Sequence, residues 1–337
     1  MIFFWILLAV FCLSLVLTGG LRRYALKASI IDIPNERSSH TVPTPRGGGV
    51  AIVISFAIAL PVLAGQGFLT SAEAIAMGGA GLLVAVLGFA DDHGHIAALW
   101  RLLGHFLAAA WLLIWLGGLA PLSLLGMSLD LGWIGFVFGL IYLVWLLNLY
   151  NFMDGIDGLA SVEAICVCLG MCIVYFIAGV SELAFLPLIM AGAVSGFLFW
   201  NFPPAKIFMG DAGSGFLGLM LGGLTLISAW HSPELLWCWL IMLGFFIVDA
   251  TFTLLRRVFR REKVYQAHCS HAYQNASRRF KSHKLVTLAV AAINVLWLLP
   301  ISIWVASSGG GFFGLVLAYS PLILLVWKFG AGAAQER

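Results

Sequence analysis

Long hydrophobic runs separated by short polar connections make up almost the whole chain. Each run is close to the roughly 20 apolar residues that an α-helix needs to cross a bilayer. The pattern predicts about eleven spans, at residues 1–21, 48–65, 74–90, 102–119, 132–147, 159–180, 184–200, 215–230, 235–255, 285–305 and 311–327. We therefore predict an all-α, polytopic membrane protein whose residues 1–337 form a single integral-membrane domain.

The positions of the basic residues predict an orientation. All 18 Lys and Arg residues lie in connections that follow odd-numbered predicted spans. Because cytoplasmic loops carry the excess of basic residues, these connections are predicted to be cytoplasmic, with the N-terminus outside and the C-terminus inside. The first run has no basic segment before it and no small-residue cleavage site, so a retained helix is expected rather than a removed signal peptide.

Composition excludes a soluble globular protein. The chain is 62% hydrophobic and only 10% charged, whereas soluble domains have about 25% charged residues. The net charge of +3 does not indicate nucleic acid, because the basic residues border helix ends where anionic membrane lipid is the nearer partner. Five of the six cysteines lie within predicted spans, so no disulfide framework is expected.

Four polar clusters interrupt this pattern, and all are on the predicted cytoplasmic side. They occupy residues 91–95, 148–158, 201–214 and 268–274. Acidic groups placed repeatedly at the ends of apolar helices suggest one shared site. Its carboxylates would be Asp91, Asp92, Asp154, Asp157 and Asp211. Such carboxylates repel one another unless a cation compensates, and hard oxygen ligands without cysteine favour Mg²⁺, or alternatively Mn²⁺, bound together with substrate phosphates.

The segment before the eighth predicted span has features of a phosphate site. It should place Asp211, Ser214 and free backbone N–H groups at a helix N-terminus, which favours phosphate with its metal. Lys206 lies five residues earlier and adds positive charge.

Two further features leave alternatives open. His268 and His271 could form a zinc pair, but no third ligand lies nearby. Contact with a pyrophosphate, or positioning of an acidic group, is favoured over zinc, and ordinary solvated loop histidines remain the alternative. Asp249, inside the ninth predicted span, either bonds to a neighbouring helix or lines the cavity.

At these residues the chain resembles the polyprenyl-phosphate N-acetylhexosamine-1-phosphate transferases. The matching pieces are Pro43–Gly49, the pair Asp91–Asp92, Asn148–Gly158, Asn201–Ser214 and His268–Gln274. The resemblance implies that the phosphate of undecaprenyl phosphate attacks the β-phosphorus of a UDP-N-acetylhexosamine and releases UMP. It also implies a bacterial inner-membrane enzyme with a cytoplasmic active site, and it suggests a homodimer.

The resemblance also implies roles for individual residues. Asp211 matches the Mg²⁺-binding aspartate. The remaining implied catalytic residues are Asp91, Asp92, Asp154, His268 and His271. The implied substrate-binding residues are Arg46, Asn151, Asp157, Asn201, Lys206 and Phe208, with Asn201 and Phe208 at the uridine.

Two departures from the family pattern narrow the expected branch. Many members carry a further aspartate where this chain has His95, which puts a third acidic role in doubt. His268 and His271 are separated as in the branch that initiates O-antigen synthesis, rather than consecutive as in the peptidoglycan branch. The expected sugar is therefore N-acetylfucosamine, N-acetylquinovosamine or N-acetylglucosamine.

Two other protein classes compete with this interpretation. A secondary transporter would place its site near the bilayer midplane on broken helices of repeated halves, whereas here the acidic residues follow the ends of spans and no repeat is visible. An intramembrane aspartyl protease would need two facing aspartates within spans, and only Asp249 is clearly internal.

Overall fold

Helices dominate the computed structural model, which describes residues 1–34, 39–94, 96–124, 127–262 and 269–333. They are α1 Ile2–Lys27, α2 Val50–Gly65, α3 Ser71–His93, α4 Ala98–Leu116, α5 Gly132–Met153, α6 Leu159–Ile177, α7 Phe185–Asn201, α8 Asp211–His231, α9 Pro233–Met242, α10 Gly244–Phe259, α11 Ala272–Phe280, α12 His283–Ile293, α13 Leu299–Ser308 and α14 Gly311–Lys328. A π-helical turn, Asn294–Leu298, joins α12 to α13. The all-α prediction is confirmed.

The strands are short and form two separate pairs. Strand β1 (Ile31–Asp32) is antiparallel to β2 (Thr44–Pro45), with Ile31 opposite Pro45. Strand β3 (Leu122–Leu124) is antiparallel to β4 (Met127–Leu129). The first pair positions the loop that carries Arg46.

Within the described ranges, nine helices are long and apolar enough to cross a membrane, and the bent pair α9–α10 raises that number to ten. Helix α2, with 16 residues, corresponds to the remaining predicted span. A polytopic membrane protein is therefore confirmed, while the orientation of its termini stays a prediction.

The ninth predicted span differs from the expected straight helix. Helices α9 and α10 meet at a bend of 70°. Polar residues recur every four positions on one side of α10, at Asp249, Thr253 and Arg257, and all three are buried. Such a polar face is costly against lipid. The bend turns it toward α11, where Asp249 accepts backbone hydrogen bonds from that helix.

Helix α8 lies at the centre of the bundle, and its membrane-spanning window is entirely buried. Small residues let neighbouring helices approach it closely. At Gly218 an added Cβ would lie 2.7 Å from the carbonyl oxygen of Leu146 in α5 and 2.8 Å from the Cα of Leu147. A larger residue at this position would force α5 away from α8.

Backbone hydrogen bonds fix the segment that leads into α8. The N–H of Phe208 donates to the Pro45 carbonyl at 2.8 Å, and the Gly48 N–H donates to the Phe208 carbonyl at 2.9 Å. The Gly49 N–H donates to the Met209 carbonyl at 2.8 Å. These bonds join the loop after β2 to the segment that precedes Asp211.

One polar pair lies deep within the helices. Glu163 of α6 and Asn294 of the π-turn are both fully buried, and the Asn294 Nδ2 donates to the Glu163 Oε2 at 2.6 Å. The Glu163 Oε1 and the Asn294 Oδ1 are buried without a hydrogen-bond partner in the described part of the chain. One more hydrogen on this pair would satisfy both oxygens.

Glu163→Gln supplies that hydrogen, so we expect it to keep or raise the thermal unfolding temperature in detergent. Asn294→Leu leaves the Glu163 carboxylate without its donor and should lower stability by about 1–3 kcal/mol. A loss of stability in Glu163→Gln as large as in Asn294→Leu would show that the pair needs the carboxylate itself.

Candidate active site

The ends of several helices surround a cavity of about 430 Å³. It contains at least one residue from each of the four polar clusters, including Asp92, Asp154, Asp211 and Gln274. The predicted site residues that line it are Arg46, Asp92, Asn151, Asp154, Asp157, Asn201, Phe208 and Asp211. The remaining predicted residues are Asp91, Lys206 and His271, which do not line the cavity, and His268, which lies outside the described residues.

Asp92 is a deeply buried cavity carboxylate, with a side chain only 2% exposed. It accepts the backbone N–H groups of Asp211 at 3.3 Å and Ala212 at 3.5 Å. Arg46 Nη2 lies 2.9 Å from its Oδ1. Asp92 therefore caps α8 and holds Arg46 at the cavity wall.

This cap corrects the expectation of free N–H groups at the start of α8. The first two are taken by Asp92, and those of Gly213 and Ser214 both donate to the Gly210 carbonyl at 3.1 Å. A bound phosphate at this end would have to use side chains or compete with these bonds.

Asp91 does not line the cavity, but it lies beside the cavity residue Asp211 and holds a second arginine. It accepts the Ile96 N–H at 3.0 Å and forms an ion pair with Arg101. The Arg101 Nη1 also lies 3.6 Å from the Asp211 Oδ2. The two adjacent aspartates thus pair with different arginines, and both lie next to Asp211.

Asp154 has an unusual electrostatic environment. Burial and three neighbouring carboxylates, those of Asp211, Asp157 and Asp92, raise the pKa of Asp154 well above that of an ordinary aspartate. Its carboxylate makes no hydrogen bond or ion pair with the described residues. It therefore lines the cavity as a carboxyl group that has no cation of its own among the described residues.

Asp157, in the same loop, has the opposite environment. Burial raises its pKa, but the hydrogen bonds from His283 and the Ala205 N–H outweigh burial and lower it. The His283 Nδ1 lies 3.2 Å from the Asp157 Oδ1, and the Ala205 N–H donates to Oδ2 at 3.0 Å. The His283 Nε2 lies 3.0 Å from the Ser39 carbonyl oxygen. Asp157 thereby joins three loops around the cavity.

Asn201 and Phe208 form the opposite wall. Asn201 is buried, accepts the Gly158 N–H at 3.1 Å and donates to the Ile207 carbonyl at 3.0 Å. The Phe208 ring meets His40 edge-on, with 4.8 Å between ring centroids. The buried Nε2 of His40 has no hydrogen-bond partner among the residues that the structure describes, so this wall offers an aromatic face beside a polar atom.

His271 and Lys206 lie away from the cavity. His271 is buried at the N-cap of α11, and its Nδ1 is 3.4 Å from the Asp249 Oδ1. Asp249 also accepts the N–H groups of Ala272 and Tyr273 at 2.9 and 3.0 Å, so the first of its two predicted alternatives is correct. Lys206 is exposed, with its Nζ 5.6 Å from the Trp200 ring centroid.

Comparison with known proteins identifies the family. Residues 74–229 match the family described as Glycosyl transferase family 4. Over 288 residues the chain is 30% identical to a probable undecaprenyl-phosphate N-acetylglucosaminyl 1-phosphate transferase of Bacillus subtilis, covering 84% of this chain and 79% of that protein. The chain belongs to this family. Its members are sugar-1-phosphate transferases that act on polyprenyl phosphate.

Two other relatives support this assignment. A decaprenyl-phosphate N-acetylglucosaminephosphotransferase of Mycolicibacterium smegmatis is 34% identical over 238 residues, which are 63% of this chain and 56% of that protein. A phospho-N-acetylmuramoyl-pentapeptide-transferase of Pelotomaculum thermopropionicum is 32% identical over 272 residues, which are 71% of this chain and 80% of that protein. The similarity therefore extends to both the N-acetylglucosamine and the peptidoglycan members of the family.

The cavity's donor set fits a hard divalent cation that also binds phosphate. Asp154 and Asp211 present carboxylate oxygens to one space, and Asp154 has no cation of its own in the described structure. Within the same residues, no three His, Cys, Asp or Glu side chains are close enough to hold a metal by themselves. Mg²⁺ usually binds proteins through one or two carboxylates and completes its shell with water and substrate phosphates, so Asp154 and Asp211 are the residues that could hold it.

Several residues that the sequence analysis did not single out contribute to this candidate site. His40 and Gln274 line the cavity, and both lie in or beside motifs that were recognised. Arg101 was visible as the basic residue between the third and fourth predicted spans. His283 gave no local signal, because its partner Asp157 is 126 residues away in sequence.

The opposite environments of Asp154 and Asp157 predict opposite effects on stability. Because the pKa of Asp154 is raised in the folded protein, this carboxyl group destabilises the fold increasingly as pH rises from the ordinary aspartate range toward the raised value. Asp154→Asn removes that cost and should raise the unfolding temperature at pH 7. Because the pKa of Asp157 is lowered, its carboxylate stabilises the folded protein at neutral pH, and this stability is lost only as pH falls through the lowered pKa. Asp157→Asn should therefore lower the unfolding temperature at pH 7.

Thermal unfolding of both variants in detergent, without divalent cations and from pH 7 down to pH 4, measures these effects. The Asp154→Asn difference should shrink toward pH 4, whereas the Asp157→Asn difference should largely persist, because the lowered pKa of Asp157 lies below this range. Stabilisation by Asp157→Asn, or destabilisation by Asp154→Asn at neutral pH, would contradict the electrostatic assignment.

Proposed function

We propose that the protein transfers an N-acetylhexosamine 1-phosphate from a UDP-sugar to undecaprenyl phosphate. The observation that carries this proposal is the cavity in which Asp154 and Asp211 face Arg46 at the ends of membrane-spanning helices. N-acetylglucosamine is the sugar we favour, because the names of several relatives specify it. N-acetylfucosamine and N-acetylquinovosamine, which the histidine spacing suggests, are the alternatives.

In this reaction an oxygen of the lipid phosphate bonds to the β-phosphorus of the UDP-sugar. The bond from that phosphorus to the bridging oxygen breaks, and UMP leaves with the bonding electron pair. A phosphate monoester is largely a dianion at pH 7, since its second pKa is about 6, so the attack needs little deprotonation. Positioning and charge neutralisation therefore account for most of the catalysis.

The cavity residues divide this work between them. Asp211 and Asp154 would hold Mg²⁺, or Mn²⁺ in its place, and the bound ion would offset the negative charge of the phosphates. Arg46 is fixed by Asp92 at the wall and can contact a phosphate oxygen. Asn201 and Phe208 would contact the uridine.

Location and partners follow from the same proposal. The basic residues support a multi-pass protein of the bacterial inner membrane with this cavity facing the cytoplasm, where the UDP-sugar is available. Its product would begin lipid-linked synthesis of O-antigen or another cell-surface polysaccharide. The family resemblance also supports a homodimer.

The proposal is tested by UMP release. Purified protein with undecaprenyl phosphate and Mg²⁺ should release UMP from UDP-N-acetylglucosamine faster than from the other two UDP-sugars, and lipid-linked product should appear in equal amount.

Asp211→Asn should reduce the rate by at least about a hundredfold across a Mg²⁺ titration, because the principal metal ligand is lost. Asp130→Asn, on the opposite side of the membrane in the predicted topology, serves as the matched control. Transport of a solute without UMP release would favour the transporter alternative, and near-normal activity of Asp211→Asn at low Mg²⁺ would eliminate the metal assignment.

The predicted orientation has its own test. Reporters fused after Arg261 and after Ser232 should report the cytoplasm and the exterior respectively, because one further span separates them. If both reporters gave the same compartment, the cytoplasmic position of the cavity would be wrong.

A further inference from the structure

A second cavity, of about 140 Å³, lies between α10, α11, α12 and α14 and shares no lining residue with the candidate active site. All of its lining residues are apolar or aromatic. They include Phe245, Tyr273, Phe280, Val286, Val290 and Phe329. We call this cavity the α11 slot. It is of the size of an apolar cavity of about 150 Å³ that binds benzene, so it fits a short length of hydrocarbon chain.

Basic residues surround the end of the slot that faces the predicted cytoplasm. Residues 272–290 contain four Lys and Arg residues and no Asp or Glu. Arg279 and Lys281 flank the slot residue Phe280, are both exposed, and make no hydrogen bond or ion pair with the described part of the chain. Lys284 precedes Leu285, and Lys328 precedes Phe329, so each adjoins a slot residue in sequence.

The slot also lies at the depth of a lipid headgroup and its first methylenes. Helix α12 begins the span His283–Ser308, and α14 ends its span at Lys328. Phe280 and Leu285 line the slot but remain 49% and 51% exposed, so its mouth is open to the surroundings of the helices. Short amphipathic helices with basic and apolar faces, such as α11, are typical of the membrane interface.

We propose that the α11 slot binds one acyl chain of an anionic phospholipid of the cytoplasmic leaflet, with Arg279 and Lys281 at the lipid phosphate. Basic pockets between spans on the cytoplasmic side are suited to anionic headgroups. The small volume suits the first methylenes of a phospholipid chain better than the branched, much longer polyprenyl chain of the acceptor. Neutral phospholipid would fill the slot but would gain less from the cations.

Helix α11 connects the slot with the candidate active site, because its residues line both cavities. Tyr273 lines the slot with its ring and donates its hydroxyl to the Phe152 carbonyl at 2.9 Å, two residues before Asp154. The next residue, Gln274, lines the catalytic cavity. A chain beneath α11 therefore supports the helix that places Gln274.

Lipid retention tests the proposal without reference to catalysis. Native mass spectrometry of the detergent-solubilised protein, titrated with phosphatidylglycerol or phosphatidylcholine, should show one tightly retained phosphatidylglycerol. Ala289→Phe fills the slot from its exposed wall and should abolish this retention, whereas Leu288→Phe, on the adjacent lipid-facing position outside the slot, should not. The double variant Arg279→Gln/Lys281→Gln should weaken retention by about thirtyfold, from about fivefold per cation, and Arg23→Gln should leave it unchanged.

Several results would overturn the proposal. Equal retention in Ala289→Phe and Leu288→Phe would place the lipid elsewhere, and equal retention of the two phospholipids would remove the role of the cations. Displacement of phosphatidylglycerol by an equimolar amount of undecaprenyl phosphate would assign the slot to the acceptor substrate. If Ala289→Phe does not fold, as judged by its unfolding temperature, the surface double variant decides alone. None of these readouts depends on the proposed transferase activity, so the two proposals can fail separately.

Discussion

The burial of Asp92 is the constraint on which the rest of the site depends. A carboxylate in this position is costly unless its oxygens are satisfied, and the structure satisfies them with the first two N–H groups of α8 and with Arg46. Asp92 and these partners belong to three segments that are far apart in sequence. The end of α3, the start of α8 and the loop after β2 are therefore fixed relative to one another by one side chain.

The backbone must come close for this arrangement to form. An added Cβ at Gly210 would lie 2.7 Å from the Asp92 Oδ2, and its φ of +78° is one that glycine adopts readily. The loop that carries Arg46 bonds to Phe208 and Met209, just before this glycine. The glycines of both motifs thus serve the approach of loop to helix, and the charged residues at their ends are positioned as a result.

The elements that could be predicted from sequence are those whose cause is local. Apolar runs of sufficient length predicted the spans, and the polar clusters at their ends predicted one shared cavity. The bend between α9 and α10 could not be predicted from hydropathy, because the buried Asp249 that follows it is satisfied by backbone N–H groups of α11, more than 20 residues further along the chain. The cap of α8 by Asp92 and the pair of Asp157 with His283 were missed for the same reason: the partners are 119 and 126 residues apart.

The distribution of cations explains why one carboxylate differs from the others. Asp91 and Asp92 each have an arginine, and Asp157 has His283 and a backbone N–H. These groups are compensated within the protein and serve to hold its loops together. Asp154 is not, and its neighbours raise its pKa. A buried carboxyl group without a partner loses stability there, and sites of this kind are where function is found most often. Asp154, which has no cation among the described residues, is thus the group of the cavity that a cation carrying a phosphate substrate would complete.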